Sequence, residues 1–471
     1  MNDAAHAFGS HLPEPQARQA DVIYLNADRD QVVLGTAGSG KTLMALHRAF
    51  FLSNPNLEHG GPTLLVTFNK ALTSNLAYLA GAQTKNLHIR NYHLVARGYL
   101  SSQGLMGYGD VLDWSARTRA VRTAIERLSA AGETNEILKR PPEFFEDELD
   151  WISGHGHRTK EQYLAAERKG RLDPLQPTQR ETMWALRAAY HDRRTELGRK
   201  YDWDELASAM RAALAIDESP RMYRHVVIDE AQDLPPEALR SLRDLIPSNG
   251  TVTLFADYAQ QLYGQRTSWL SCGLHIIREE RFEENYRNSP GIAKLAIATA
   301  ALPHFRDHAD LVEPSAPATS GIQPTLYRAA NTPAELSAVR AQATQFAKNG
   351  RAAILTRTPA EARKAAAGLN YSELSEHSWS AESGLYIGTL YAAKGLEFDA
   401  VILPFMGSDL APEPGHVASF GLDEAMERDS RLVYVGITRA RSELLVTYQG
   451  QLSPLLPPPA SGLWTVTGST Q

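Results

Sequence analysis

One short segment limits this chain more than any other: Gly35-Thr36-Ala37-Gly38-Ser39-Gly40-Lys41-Thr42, which fits G-x-x-x-x-G-K-[ST]. An apolar run, Gln31-Val32-Val33-Leu34, precedes it, and a helix-forming run, Leu43-Met44-Ala45-Leu46-His47-Arg48, follows. Strand, loop and helix in that order are the context the motif requires. Gly35, Gly38 and Gly40 let the backbone wrap a phosphate, which then meets inward amides and the favourable potential of a helix N-terminus. Lys41 would neutralise β/γ-phosphate charge, and Thr42 would hold Mg²⁺.

Far downstream, Val226-Val227-Ile228-Asp229-Glu230-Ala231-Gln232-Asp233 supplies the acidic half of such a site. Asp229 follows a β-branched run, so its carboxylate emerges at the tip of a buried parallel strand, where it can bind Mg²⁺. Glu230 beside it is the natural general base for an attacking water. Gln232 is placed to report the state of the nucleotide to neighbouring elements. ATP and Mg²⁺ are the expected cofactors.

Length and composition narrow the setting. A chain of 471 residues should hold two or more domains. The formal charge of −6 argues against coating nucleic acid by net charge, while leaving room for a local basic groove. Cys272 is the only cysteine, which excludes an internal disulfide framework or a cysteine metal cluster. The first residues lack a basic region followed by an apolar core, and no apolar run nears the ~20 residues needed to cross a bilayer. A soluble, cytoplasmic protein with no membrane partner is expected; nothing here sets its oligomeric state.

Strand-like and helix-like runs alternate, as in parallel α/β sheets. Strands are expected at Gln31–Leu34, Thr63–Thr67, His225–Asp229 and Thr251–Phe255, then at Ala352–Thr356, Leu385–Leu390, Ala400–Leu403 and Leu444–Tyr448. The stretch from Gly104 to Pro220 is helical and charge-dense, broken at Pro141-Pro142 and between Asp173-Pro174 and Pro177. It reads as an insertion into the first α/β unit. Residues 454–471, rich in proline and glycine, read as an irregular tail.

Further segments, in order from Gln19 to Tyr448, resemble the superfamily 1 helicases of the UvrD/PcrA/Rep type. Gln19 stands where that family has an adenine-reading glutamine, with Gln16 as the alternative. Thr67-Phe68-Asn69-Lys70-Ala71-Leu72 resembles a motif whose aromatic stacks on single-stranded DNA, and Asn91-Tyr92-His93 the next DNA-contacting segment. Tyr201-Asp202-Trp203-Asp204-Glu205-Leu206 is similar to the family's Asp-Phe-x-x-Leu stretch. The segment from Ala256 to Arg266 resembles the motif coupling hydrolysis to DNA, which implies that Gln260 reaches the γ-phosphate or water, Tyr263 stacks a base and Arg266 contacts DNA. Glu284-Asn285-Tyr286-Arg287 implies adenine packing by Tyr286 and a γ-phosphate contact by Arg287. Thr389-Leu390-Tyr391-Ala392-Ala393-Lys394-Gly395-Leu396-Glu397-Phe398 implies that Thr389 and Lys394 meet DNA backbone and Glu397 the ribose. Val433 to Arg441 ends on a Thr-Arg-Ala-Arg signature that makes Arg439 the arginine finger.

The resemblance implies two RecA-like P-loop domains with a helical 1B-like insertion in the first. Domain 1A would comprise 1–103 and 221–284, the insertion 104–220, and domain 2A 285–453. The full-size relatives' 2B domain has no room between Arg287 and Thr389, so it is absent or vestigial. Catalysis would fall to Lys41, Glu230, Gln260, Arg287 and Arg439; an arginine from the second domain reaches the γ-phosphate only when the cleft closes. Phe68, Tyr263 and Trp269 are the aromatic candidates for sequence-blind stacking. Departures from the family pattern fall mostly on the DNA track: Tyr391 for histidine, Gln265 for an aromatic, Tyr258 and Ala259 for acidic residues. Leu43 also replaces an arginine that touches adenine. No nuclease arrangement of Asp, Glu and Lys is seen. Two readings follow. One is an ATP-dependent 3′–5′ translocase or helicase on single-stranded DNA, with RNA left open. The other is a nucleic-acid-sensing ATPase subunit that controls a partner such as a nuclease in an anti-phage system, as in short relatives like the helicase subunit of Gabija. His155 and His157, lacking a third ligand, read as loop residues, and Arg193-Arg194 with Arg199-Lys200 fits a phosphate track or a solvated face alike.

Overall fold

Val32, Val33 and Leu34 are buried on both faces of their strand, a demand met inside a parallel sheet covered on both sides. The computed structural model describes residues 14–15, 17–36, 38–68, 70–81, 85–168, 171–257, 269–276, 279–282, 288–305, 322–374, 382–409 and 411–468. Its first sheet contains β1 (Gln31–Gly35), β2 (Thr63–Thr67), β3 (Leu87–Asn91), β4 (His225–Ile228), β5 (Thr251–Ala256) and β6 (Glu279–Phe282), in the order β3-β2-β4-β5-β1-β6. All of its pairings are parallel. The two-residue side-chain period divides the core. Val33, Leu65, Val227 and Phe255 pack with α1 (Ala17–Ile23), α2 (Lys41–Ser53) and α3 (Lys70–Ala80). Val32, Leu64, Val226 and Val252 face the opposite way, toward α4 (Tyr92–Ser102).

Between β3 and β4 the chain leaves the sheet and builds α5 (Trp114–Ala130), α6 (Pro142–His155), α7 (Lys160–Ala165) and α8 (Pro177–Glu196). These helices share a core of their own around Phe145, Trp151, Ile152, Met183 and Leu186. Their starts are set locally. Asp113 caps α5 by accepting from Ala116 N, and Thr159 with Gln162 forms a reciprocal capping box on α7. The next helices, α9 (Leu206–Leu214) and α10 (Pro236–Asp244), return to the first sheet and complete its second face. The sequence reading counts α9 within the insertion. Its apolar stripe of Leu206, Met210 and Leu214 is instead buried in the α/β core, and its helical period alone does not reveal which core it serves.

The second sheet runs β13-β7-β12-β11-β8-β10-β9 and is again parallel throughout. It is made of β7 (Thr325–Ala329), β8 (Arg351–Thr356), β9 (Ser372–Glu373), β10 (Gly384–Thr389), β11 (Phe398–Leu403), β12 (Ala440–Gln449) and β13 (Thr465–Gly468). Helices α11 (Pro290–Ala300) and α15 (Leu422–Thr438) cover one face, α12 (Thr332–Asn349) and α13 (Pro359–Ala366) the other. The presumed irregular tail is part of this unit: β13 pairs with β7, and Leu455, Leu456 and Trp464 are buried in the core. Apolar anchors between the prolines bind that segment to the sheet.

The insertion also meets the second α/β unit. Phe420, the last residue of α14 (Pro414–Phe420), is buried in the insertion's core. Around it, Arg428 reaches Asp147 at 2.8 Å and Glu424 at 2.6 Å. Arg171 of the insertion pairs with the same two carboxylates.

Candidate nucleotide site and nucleic-acid face

Because β4, β5 and β1 are neighbours, the segments that follow them open side by side. Lys41 begins α2, and its Nζ donates to Gly35 O at 2.8 Å and Thr36 O at 2.7 Å. It also meets Asp257 Oδ2, just beyond β5, at 3.3 Å. Gly38 and Gly40 have φ of 82° and 83°, the left-handed region that disfavours a Cβ. At Gly40 a Cβ would also stand 2.6 Å from Gln19 Nε2. Gln19 braces the loop by donating to Ser39 O at 3.1 Å; Gln16 lies outside the described residues. Among the described residues no side chain caps the start of α2, which leaves its first amides to an anion.

Asp229 is fully buried and neither of its carboxylate oxygens completes a hydrogen bond, although the Thr42 hydroxyl is close enough to favour its charged form. Burial first, and the Glu230 charge second, push its carboxyl up to about 7. A buried, unpartnered carboxylate calls for a cation. Mg²⁺ is usually held by one or two carboxylates plus substrate phosphates, so Asp229 with Thr42 fits that ion. Among the described residues no cluster of three or more ligating side chains offers another metal site.

Glu230 has φ 55° and ψ 44°, a conformation that costs a non-glycine residue about 1–3 kcal/mol and clusters at functional sites. Burial would raise its pKa, but Lys394, Lys41 and Arg439 outweigh burial and hold the carboxyl below its ordinary range. Gln232 donates through Nε2 to Glu230 Oε2, and its Oε1 accepts from Asp257 N at 2.9 Å. Lys41, Asp257, Gln232 and Glu230 therefore form one connected run across three strand ends.

The second unit contributes directly to this cleft. Arg439, at the C-terminus of α15, is 1% exposed and donates to Val435 O at 3.1 Å, Leu396 O at 3.3 Å and Thr438 Oγ1 at 3.1 Å. With Gly38, Gly40, Lys41, Thr42, Glu230 and Gly395 it lines a narrow cleft. Gly395, at φ 78°, lies so close to α3 that a Cβ would be 2.8 Å from Leu72 Cδ2. Lys394 corrects the sequence reading. Expected on DNA backbone, it is 4% exposed, with Nζ 2.5 Å from Asp233 Oδ1. Its ammonium is buried against that carboxylate, and its charge helps to hold the Glu230 pKa down. Glu397 is half-buried, and Thr389 Oγ1 accepts from Ala392 N at 3.1 Å within its own turn. Gln260, Tyr286 and Arg287 lie outside the described residues.

Phe68 and His93 do come together, with ring centroids 5.4 Å apart. Trp203 extends the cluster, 5.3 Å from His93, with the Arg97 guanidinium 5.5 Å from its ring centroid. Asn91 organises this corner by donating to Phe68 O and accepting from His93 N at 3.0 Å. Trp269 is half-buried and, like Phe68 and Trp203, packs against the first core. Asn69, Tyr263 and Arg266 lie outside the described residues. His155 and His157 stack on each other and on Trp151 at the end of α6.

Sequence reasoning missed Asp257, Asp233 and Trp203 as members of these sites. Each stood in a quoted motif, and each pairs with a residue distant in sequence. An aromatic residue flanked by two acids was the available signal for Trp203.

The geometry agrees with the comparisons. The UvrD/REP helicase N-terminal domain matches residues 16–278, and the UvrD-like helicase C-terminal domain matches residues 365–451. ATP-dependent DNA helicase UvrD2 of Mycobacterium tuberculosis is 25% identical over 549 aligned positions, covering 90% of this chain and 77% of that protein. A probable DNA helicase II homolog of Rickettsia conorii is 44% identical over 62 residues, 13% of this chain. ATP-dependent DNA helicase PcrA of Bacillus subtilis is 40% identical over 72 residues, 15% of this chain. These last two matches each span 9% of the relative's length. Phosphate loop, acidic strand end and second-domain arginine sit within the matched segments, and the chain belongs to the UvrD/REP helicase family.

Proposed function

We propose that this chain is a Mg²⁺-dependent ATPase that moves along single-stranded DNA in the 3′-to-5′ direction, acting in the cytoplasm. One observation carries the reading: Lys41, Thr42 and Glu230 of one α/β unit line a cleft together with Gly395 and Arg439 of the other, and the Lys394 charge acts on Glu230 there. In domain terms, β1–β6 with α9 and α10 form 1A, α5–α8 the 1B-like insertion, and β7–β13 form 2A.

Lys41 and the uncapped start of α2 bind the triphosphate, whose oxygens compete with Gly35 O and Thr36 O for the ammonium. Asp229 and Thr42 would hold Mg²⁺, which when bound neutralises charge on the β- and γ-oxygens. Glu230, kept ionised by three cations, accepts a proton from the attacking water. Arg439 reaches the γ-phosphate as the units close, so hydrolysis and domain movement are coupled. The Phe68–His93–Trp203 corner holds bases by stacking.

ATP turnover measured with and without homopolymer oligonucleotides, at two salt concentrations, tests this. Turnover should rise with single-stranded DNA, depend strongly on salt and depend little on sequence. Strand displacement on a tailed duplex then separates helicase from translocase. Turnover indifferent to all nucleic acid would sink the motor reading and favour an ATPase controlled by a protein partner, such as a nuclease.

A further inference from the structure

A second concavity, of about 350 Å³, lies where the insertion meets the first α/β unit. That volume is within the ~300–1,000 Å³ of ligand-holding clefts. Arg158, Arg187, Arg194 and Lys200 line it, against one carboxylate, Glu205. Glu205 is already engaged by Arg194 and by His191 at 2.8 Å. Arg158 touches Glu237 at 3.4 Å, but that carboxylate also serves Arg211 and Arg240, each at 3.0 Å. Burial and the Arg240 charge hold His157, also on the wall, below its ordinary pKa.

Arg187 is the informative residue. Its Nε is sealed from water without a partner, and its guanidinium makes no hydrogen bond or ion pair among the described residues; it lies over the Trp184 ring at 4.7 Å. A half-buried fork of donors with no acceptor is unfavourable unless an acceptor arrives from outside. In a chain of net charge −6, so local a positive surface is selective for anions. Arg193 and Arg199, the other members of the basic run, turn to Glu196 and Gly109 O instead. The segment 201–205 joins the two places: Tyr201 and Glu205 border the groove, while Trp203 completes the aromatic corner.

We propose that this groove binds the phosphodiester backbone of a nucleic-acid strand, as a second anchor beside the aromatic corner that holds whether or not ATP is bound. The inference rests on the reading that the chain binds nucleic acid. Arg158, Arg187 and Lys200 supply phosphate contacts, and Tyr201 lies on the same wall.

Fluorescence anisotropy with a labelled oligothymidylate of about 30 nucleotides, long enough to span several ~4–16-nucleotide sites, tests this on the full chain over a range of salt. Arg158→Gln with Lys200→Gln, both at exposed positions, should lower the slope of log affinity against log salt by about 1.4, near 0.7 per lost phosphate contact. Arg187→Gln should lower it by about another 0.7, and Arg187→Lys should restore most of that. A wild-type slope in these variants would overturn the proposal. Weakened binding of inorganic phosphate without any change in slope would assign the groove to a free anion and overturn it as well. Wild-type protein that binds no oligonucleotide at all would instead remove the functional reading beneath it.

Discussion

Helices α2 and α13 each begin just after a central strand of their sheet, yet they treat their exposed amides in opposite ways. At α13 the turn closes on itself: Thr358 Oγ1 accepts from Glu361 N at 3.2 Å, and Glu361 Oε2 accepts from Thr358 N at 3.1 Å. Pro359 follows without an amide proton, and Arg357 is fixed to Asp429 at 2.6 Å. At α2 the N-cap is Gly40, which brings no side-chain acceptor, and the loop before it is held from outside by Gln19. One helix start is satisfied internally; the other is kept for a ligand. The two units share an architecture, and under the proposed function they would divide the labour: the first binds phosphate, and the second presents cations to it.

Four substitutions can break or sharpen that division. The largest effect belongs to the second unit's cation. Arg439→Ala should reduce ATP turnover by roughly 10³–10⁵-fold while nucleotide affinity, measured by equilibrium titration, stays near wild type. Equal losses in both would make Arg439 a ground-state binder and erase the asymmetry. Next, Glu230→Gln should keep ATP binding and lower turnover by about 10²–10⁴-fold; single-turnover hydrolysis at the wild-type rate would remove Glu230 as the base. Gly40→Ala forces a side chain into a left-handed conformation worth ~1–2 kcal/mol and against Gln19, so nucleotide should bind about tenfold more weakly. Unchanged affinity would mean that the loop has slack. The smallest effect lies at the closed helix: Thr358→Ala should cost about 1 kcal/mol of stability, a few degrees in a thermal melt, and leave nucleotide affinity alone.

The phosphate loop was legible because its chemistry dictates its backbone: glycines at positive φ, a lysine at the first helical position and a carboxylate ending a β-branched run allow few arrangements. Strands buried on both faces were legible for the same reason, as continuous apolar runs. Four of the strands that escaped, Leu87–Asn91, Glu279–Phe282, Thr325–Ala329 and Ser372–Glu373, carry polar or exposed positions, among them His88, Arg90, Glu279 and Arg328, and lie at or next to a sheet edge. Thr465–Gly468 is wholly exposed, so only its flanking anchors Leu455, Leu456 and Trp464 could have betrayed it. Charge was the least legible property. A lysine in a DNA-contacting motif and a lysine neutralising Asp233 have the same letter, and only the approach of the two units decides between them.

The insertion is tied in sequence to the first sheet by two crossings, Gln103–Asp113 and Leu197–Glu205. It is clipped to the second by Phe420 and the Asp147–Arg428 pair. Three bodies joined pairwise in this way make a closed linkage, with no free end to absorb a change of angle. Rotation of one sheet against the other must appear as sliding between α6 and α14 or as bending in the two crossings. An opening of the cleft would therefore carry the insertion with it, as one link of a closed chain carries the next.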